Sequence, residues 1–168
     1  MKWGSELSTE ALLADAVTAS ASSITTQLDG ESPDVLFVFS SPHHAAGQDE
    51  MLEILLRQFG ECNILGCSSG GVIGAGIELE LGPGFAVSAA VLPGVDISLF
   101  HLENDSLPDA DAPQGDWNDA LNISQGTQPE FVLLTDPYSF DANRLIAGLD
   151  YAFPKSTKIG GLASGGYG

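Results

Sequence analysis

The chain has 168 residues, 43% of them apolar and 17% charged, a length and balance that fit one globular core. Five Lys and Arg stand against 23 Asp and Glu, for a net charge of −18. Such a surface repels phosphate backbones and anionic lipid, so neither nucleic acid nor membrane is an expected partner.

Lys2 is followed by Gly4, Ser5 and Glu6 without an apolar run, so no secretory signal is read at the start. A cytoplasmic location is the expectation, and no uncharged run is long and hydrophobic enough for a membrane span. Ser8 or Thr9 is the expected cap of a first helix, with Glu10 in its first turn. Leu13, Val17, Ile24 and Leu28 lie on one face of that helix, and Asp29-Gly30 ends it.

After Pro33, the run 35–39 is apolar without alternation, which predicts a strand buried on both faces. Helix two is expected over 48–59, with Leu52, Leu55, Leu56 and Phe59 facing inward and Gly60 stopping it. A short strand follows at 63–65. Strand, helix and strand make a βαβ unit with parallel strands. Then the pattern changes to three strand-like runs, 77–81, 85–91 and 95–102, split by Gly-Pro-Gly and Pro-Gly turns. They predict an antiparallel meander.

The stretch 103–119 holds six acids and reads as a loop, with a helical turn at 117–121. Its acids do not have calcium-loop spacing. A second βαβ unit is expected from a strand at 131–134 and a closing strand at 158–160. Its helix is capped by Asp141, presents Leu145, Ile146, Leu149 and Phe153 on one face, and ends before Pro154.

The two units repeat one another. Asp34 opens D-V-L-F-V-F and I-L-G-C-S-S-G-G follows at 64–71; Glu130 opens E-F-V-L-L-T and I-G-G-L-A-S-G-G follows at 159–166. The expected fold class is α/β, two βαβ units and an antiparallel meander in a mixed sheet. The expected organisation is one domain: repeat one over about 33–102, an acidic linker over about 103–128, and repeat two over about 129–168. The second repeat lacks a counterpart of the meander, so the sequence reads as cut inside it.

Ligands in open α/β sheets bind at the C-terminal ends of parallel strands. In repeat one that edge collects His43, Ser68, Ser69, Gly70 and Gly71. In repeat two it collects Asp136, Ser164 and Gly165. Hydroxyls beside glycines suit a small polar ligand, because glycine lets the backbone come close. The plain structural alternative is that the glycines only permit a bend.

Gly66-Cys67-Ser68-Ser69-Gly70 fits the G-x-S-x-G nucleophile pattern, which needs a helix to follow. A hydrolase using Ser68, or Cys67 with His43 or His44, is the enzymatic alternative; a protein-interaction module without a small ligand is a third. Cys62 and Cys67 form neither a disulfide framework nor a zinc pattern, and no cofactor or metal is expected.

The stretches I-L-G-C-S-S-G-G-V-I-G, G-P-G-F-A-V-S-A-A-V-L-P-G-V, D-P-Y-S-F and K-I-G-G-L-A-S-G-G resemble the N-terminal module of FIST proteins, named for F-box and intracellular signal transduction proteins. The opening M-K-W-G-S-E-L-S fits as well. The resemblance implies a non-enzymatic sensory domain. Such a domain binds small ligands, amino acids among them, and passes that state to a signalling protein or output domain. It supplies no catalytic residues.

Overall fold

The computed structural model describes residues 1–165. The fold is α/β and divides into two compact units, Met1–Leu99 with Ser164 and Gly165, and Phe100–Ala163.

The first unit holds a four-stranded mixed sheet. Its strands are β1 (Lys2–Ser8), β2 (Val35–Ser40), β3 (Asn63–Ser68) and β6 (Phe85–Val91), in the order β1-β6-β2-β3. Between β3 and β6 runs a small hairpin of β4 (Val72–Gly74) and β5 (Ile77–Leu79). β2 and β3 are parallel, from Val35 opposite Asn63 to Ser40 opposite Ser68, while β6 is antiparallel to both β1 and β2. Helices α1 (Leu13–Gln27) and α2 (Gln48–Phe59) cover one face. There Val17, Ile24, Leu28, Leu36, Leu55 and Phe85 are sealed from water. Each such side chain contributes about 1.5–3 kcal/mol of hydrophobic stabilisation.

Several expectations change here. β1 was not predicted. Ser8 does not cap the helix; it closes β1 opposite Phe85, and α1 begins at Leu13 behind Leu12, which makes no side-chain cap. The end of α1 is as expected: Asp29 and Gly30 both have positive φ, and the Gly30 amide donates to Thr25 O at 2.9 Å. In α2 the inward face is Met51, Leu55 and Phe59, leaving Leu52 and Leu56 exposed. Of the predicted meander, only 85–91 enters the main sheet. Residues 77–79 pair with β4 across a turn at Ala75 and Gly76, whose φ of 49° and 77° suit a tight hairpin. Residues 95–102 form no strand, because β6 already has β1 on one side and β2 on the other.

The second unit contains α3 (Gln114–Leu121), β7 (Phe131–Thr135), α4 (Ala142–Ala152) and β8 (Lys158–Leu162). β7 and β8 are parallel, with Phe131 opposite Lys158 and Val132 opposite Ile159. That register matches Val35–Asn63 and Leu36–Ile64 in the first unit, so the sequence repeat is a repeat of strand pairing. Its core includes Trp117, Leu121, Phe131, Leu145, Leu149 and Phe153, while Ile146 is exposed rather than inward.

Asp141 caps α4 as predicted, its Oδ1 accepting from the Arg144 amide at 3.0 Å. Asp141→Ala should therefore cost about 1 kcal/mol in urea denaturation, and Asp141→Asn much less, since the amide oxygen caps nearly as well.

Candidate functional site

The C-terminal ends of β2 and β3 form the candidate site. A strand pair in parallel register brings Ser40 and Ser68 side by side, and the chain leaves both strands there. The Ser69 amide donates to Ser40 O at 2.9 Å, which holds the turn after β3 against the end of β2. Next to it, Ser41 locks onto the segment entering β6: its amide donates to Gly84 O at 2.8 Å, and its Oγ accepts from the Gly84 amide at 2.9 Å. Gln48, the first residue of α2, donates from Nε2 to His44 O at 2.8 Å and to Ser40 Oγ at 3.3 Å. These bonds frame a cavity of about 410 Å³ whose lining includes Ser40, Gln48, Ile64, Cys67, Ser68 and Gly165.

Six of the predicted ligand residues come together in this first unit. Ser68, Ser69, Gly70 and Gly71 form the turn after β3. Ser164 and Gly165 lie against it: Ser164 Oγ accepts from the Gly70 amide at 3.0 Å, and the Gly165 amide donates to Ser68 O at 3.2 Å. Gly165 is needed for that approach, because a Cβ there would fall 2.5 Å from Ser68 Cβ and 2.6 Å from Ser69 N. Gly70 has more room: a Cβ there would sit 3.5 Å from Ser164 O. The Ser69 hydroxyl is enclosed and has no partner among the described residues.

His43 is not among the residues that line this cavity. His43 is exposed on a 3-10 turn, Pro42–His44. Asp136 belongs to the second unit, where its carboxylate accepts from Ser139 Oγ at 2.6 Å and from the Tyr138 amide at 2.9 Å. Those two donors hold its carboxyl below the usual range.

His44, not His43, is the buried histidine, 2% exposed and with no partner for Nε2 among the described residues. Burial, and then the neighbouring His43, lowers its pKa below the ordinary 6.5. The unfolded chain therefore takes up a proton there more readily than the folded one. Stability from the neutral imidazole is complete above about pH 6.5 and drains as the pH falls below it. Urea midpoints at pH 7.5 and 5.5 should differ for the wild type and converge in His44→Gln.

Gln48 and the apolar wall of the cavity were not singled out in the sequence. Gln48 stands at the first position of α2, and nothing marks it beyond that place. The nucleophile pattern around Ser68 is followed by the β4–β5 hairpin instead of a helix, so the elbow geometry is not formed. Burial pushes the Cys67 thiol up, away from the thiolate that a cysteine nucleophile needs. Among the described residues, no three His, Cys, Asp or Glu side chains gather to hold a metal, and no helix is long and apolar enough to cross a membrane.

The parallel strand pair, with a Ser-Ser-Gly-Gly turn at its C-terminal edge, belongs to a mixed α/β fold. The FIST N domain family matches residues 34–168, and the chain belongs to that family, which is associated with sensory roles in signal transduction. β1 and α1 precede the matched span. The chain is 27% identical over 166 residues to an uncharacterized protein of Mycobacterium tuberculosis, covering 99% of this chain and 42% of the relative. It is 24% identical over 140 residues to an uncharacterized protein of Mycobacterium bovis, covering 83% of this chain and 34% of the relative. The chain thus spans well under half the length of these relatives. No solved structure matches it.

Proposed function

We propose that this chain is a non-enzymatic, small-ligand-binding sensory domain acting in the cytoplasm, with its ligand at the C-terminal edge of β2 and β3. Ligand occupancy there would be passed to a signalling protein or output domain. The observation supporting this reading is the cavity at that edge, bounded by Ser40, Gln48, Cys67 and Ser68. Its volume of about 410 Å³ falls in the range of small-molecule sites. Family membership supplies the sensory role. The hydrolase alternative gains nothing from the geometry, since neither the elbow nor an activated thiol is present.

The test is thermal unfolding with a panel of small metabolites, including the amino acids that the family resemblance implies. A true ligand at a hundred times its Kd stabilises by about 2.7 kcal/mol. Melting should then rise by several degrees, and the rise should vanish on substitution of a cavity residue. A panel in which no compound raises the melting temperature would favour an interaction module instead.

A further inference from the structure

Among the described residues, the cavity at the β2–β3 edge is lined without charged side chains. Val38, Met51, Leu52 and Ile64 supply its apolar wall, and Ser40, Gln48, Cys67 and Ser68 its polar groups. Among the described residues, no Asp, Glu, Lys, Arg or His lines it.

The consequence is a constraint on the ligand. A free amino acid carries a carboxylate and an ammonium. Moving both from water onto this lining costs hydration that only a counter-charge or several strong hydrogen bonds would return. Among the described residues, the lining holds no charged side chain. The first turn of α2 carries Asp49 and Glu50, both exposed, whose negative charge offsets the partial positive charge that a helix N-terminus would offer a carboxylate. The polar groups present suit a neutral partner. Gln48 has both amide hydrogens engaged, with His44 O and Ser40 Oγ, so its side-chain oxygen is the group positioned to accept. The hydroxyls of Ser40 and Ser68 can each donate.

We propose that this cavity takes an uncharged, mainly apolar small molecule with one or two hydrogen-bonding groups, such as an amide or an alcohol, and discriminates against free amino acids. This rests on the ligand-binding reading of the same edge and narrows it.

The experiment is a nitrogen-15 NMR titration of the 168-residue chain with matched probes: N-acetyl-leucinamide against leucine, and the corresponding phenylalanine and valine pairs. Each pair shares a side chain and differs in charge. The expected result is movement of the Gly66, Cys67, Ser68 and Gly165 amide signals with at least one neutral probe, at an affinity at least ten-fold above that of its charged twin. Leu52→Trp fills the cavity from a position 39% exposed, where the fold tolerates change, and should weaken that binding ten-fold or more. Free amino acids binding at these residues as tightly as the neutral probes would overturn the uncharged class and leave the sensory reading standing. If neither member of any pair moves these signals in a chain whose spectrum is that of a folded protein, both readings of this edge fall.

Discussion

Trp117→Ala is expected to remove about 3–5 kcal/mol, a large share of the stability of a small domain. Trp117 is fully buried in the core of the second unit, and its ring lies against Gly148 of α4. A Cβ at position 148 would overlap the indole, so α3 and α4 meet through a large side chain fitted to a missing one. Truncating the tryptophan opens a cavity between them that the helices cannot close without moving. Gly148→Val should be destabilising from the opposite direction, by overpacking. Urea denaturation followed by circular dichroism gives both values. Hydrogen exchange then locates the loss, with amides of α4 and β7 losing protection first. A Trp117→Ala cost under about 1 kcal/mol, the range of ordinary surface changes, would mean that the second unit is not packed around this residue.

The second large effect is expected at Gly66→Val. Gly66 stands opposite Val38 in the parallel pair, and a Cβ there would overlap the Val38 carbonyl oxygen. A backbone atom cannot yield as the end of a flexible side chain can, so β3 must shift away from β2. Overpacking costs of about 1–3 kcal/mol are usual, and this position should reach the upper end or pass it. The cavity should suffer as well, because Gly66 lines it. Gly70→Ala is the matched control: its added methyl would be at ordinary contact distance from Ser164 O, so its effect should stay within about 0.5 kcal/mol. Equal melting of the two variants would show that the close approach of β2 and β3 at Gly66 is not a constraint on stability.

The parts of the fold legible in the sequence are those where local pattern and final environment agree. The runs at 35–39 and 131–134 are apolar and are strands; the first is mostly buried, while in the second Phe131 and Leu133 face inward and Val132 is exposed. Gly60 and Asp141 punctuate their helices by local backbone chemistry, and they do so here. The failures have physical causes. β1 reads K-W-G-S-E-L-S, with little apolar content. Its strand status comes from pairing along β6, from Trp3 stacking on Phe37 at 6.5 Å, and from Gly4 letting α1 come close. None of those partners is near in sequence. The alternation in 95–102 is that of a strand, yet β6, the neighbour it would fold back on, is already paired on both sides. In α2, Met51 with Leu55 and Phe59 competes with Leu52 and Leu56 for the inward face. The two solutions differ by a rotation of one residue, and packing against α1 selects the first. At the candidate site the Ser-Ser-Gly-Gly turn was readable because the stretch stands at the end of a strand-like run and recurs as Ser-Gly-Gly at 164–166. Gln48 and the apolar wall were not, since a cavity is made by spacing between elements and leaves no pattern within any one of them.

The strand order of the first unit also sets a sequence of events in synthesis. β1 leaves the ribosome before the other strands of its sheet, but its neighbour there is β6, whose last residue is Val91. At about 5–20 residues per second, β1 waits for several seconds before its partner exists. During that interval α1 has its apolar side chains made and the sheet surface they need only partly so. Because Lys2 must find Val91 across the whole unit, ring closure is long and refolding in the test tube should run in milliseconds to seconds, not microseconds. β1 is therefore made before the rest of its sheet and is among the last of its strands to be secured.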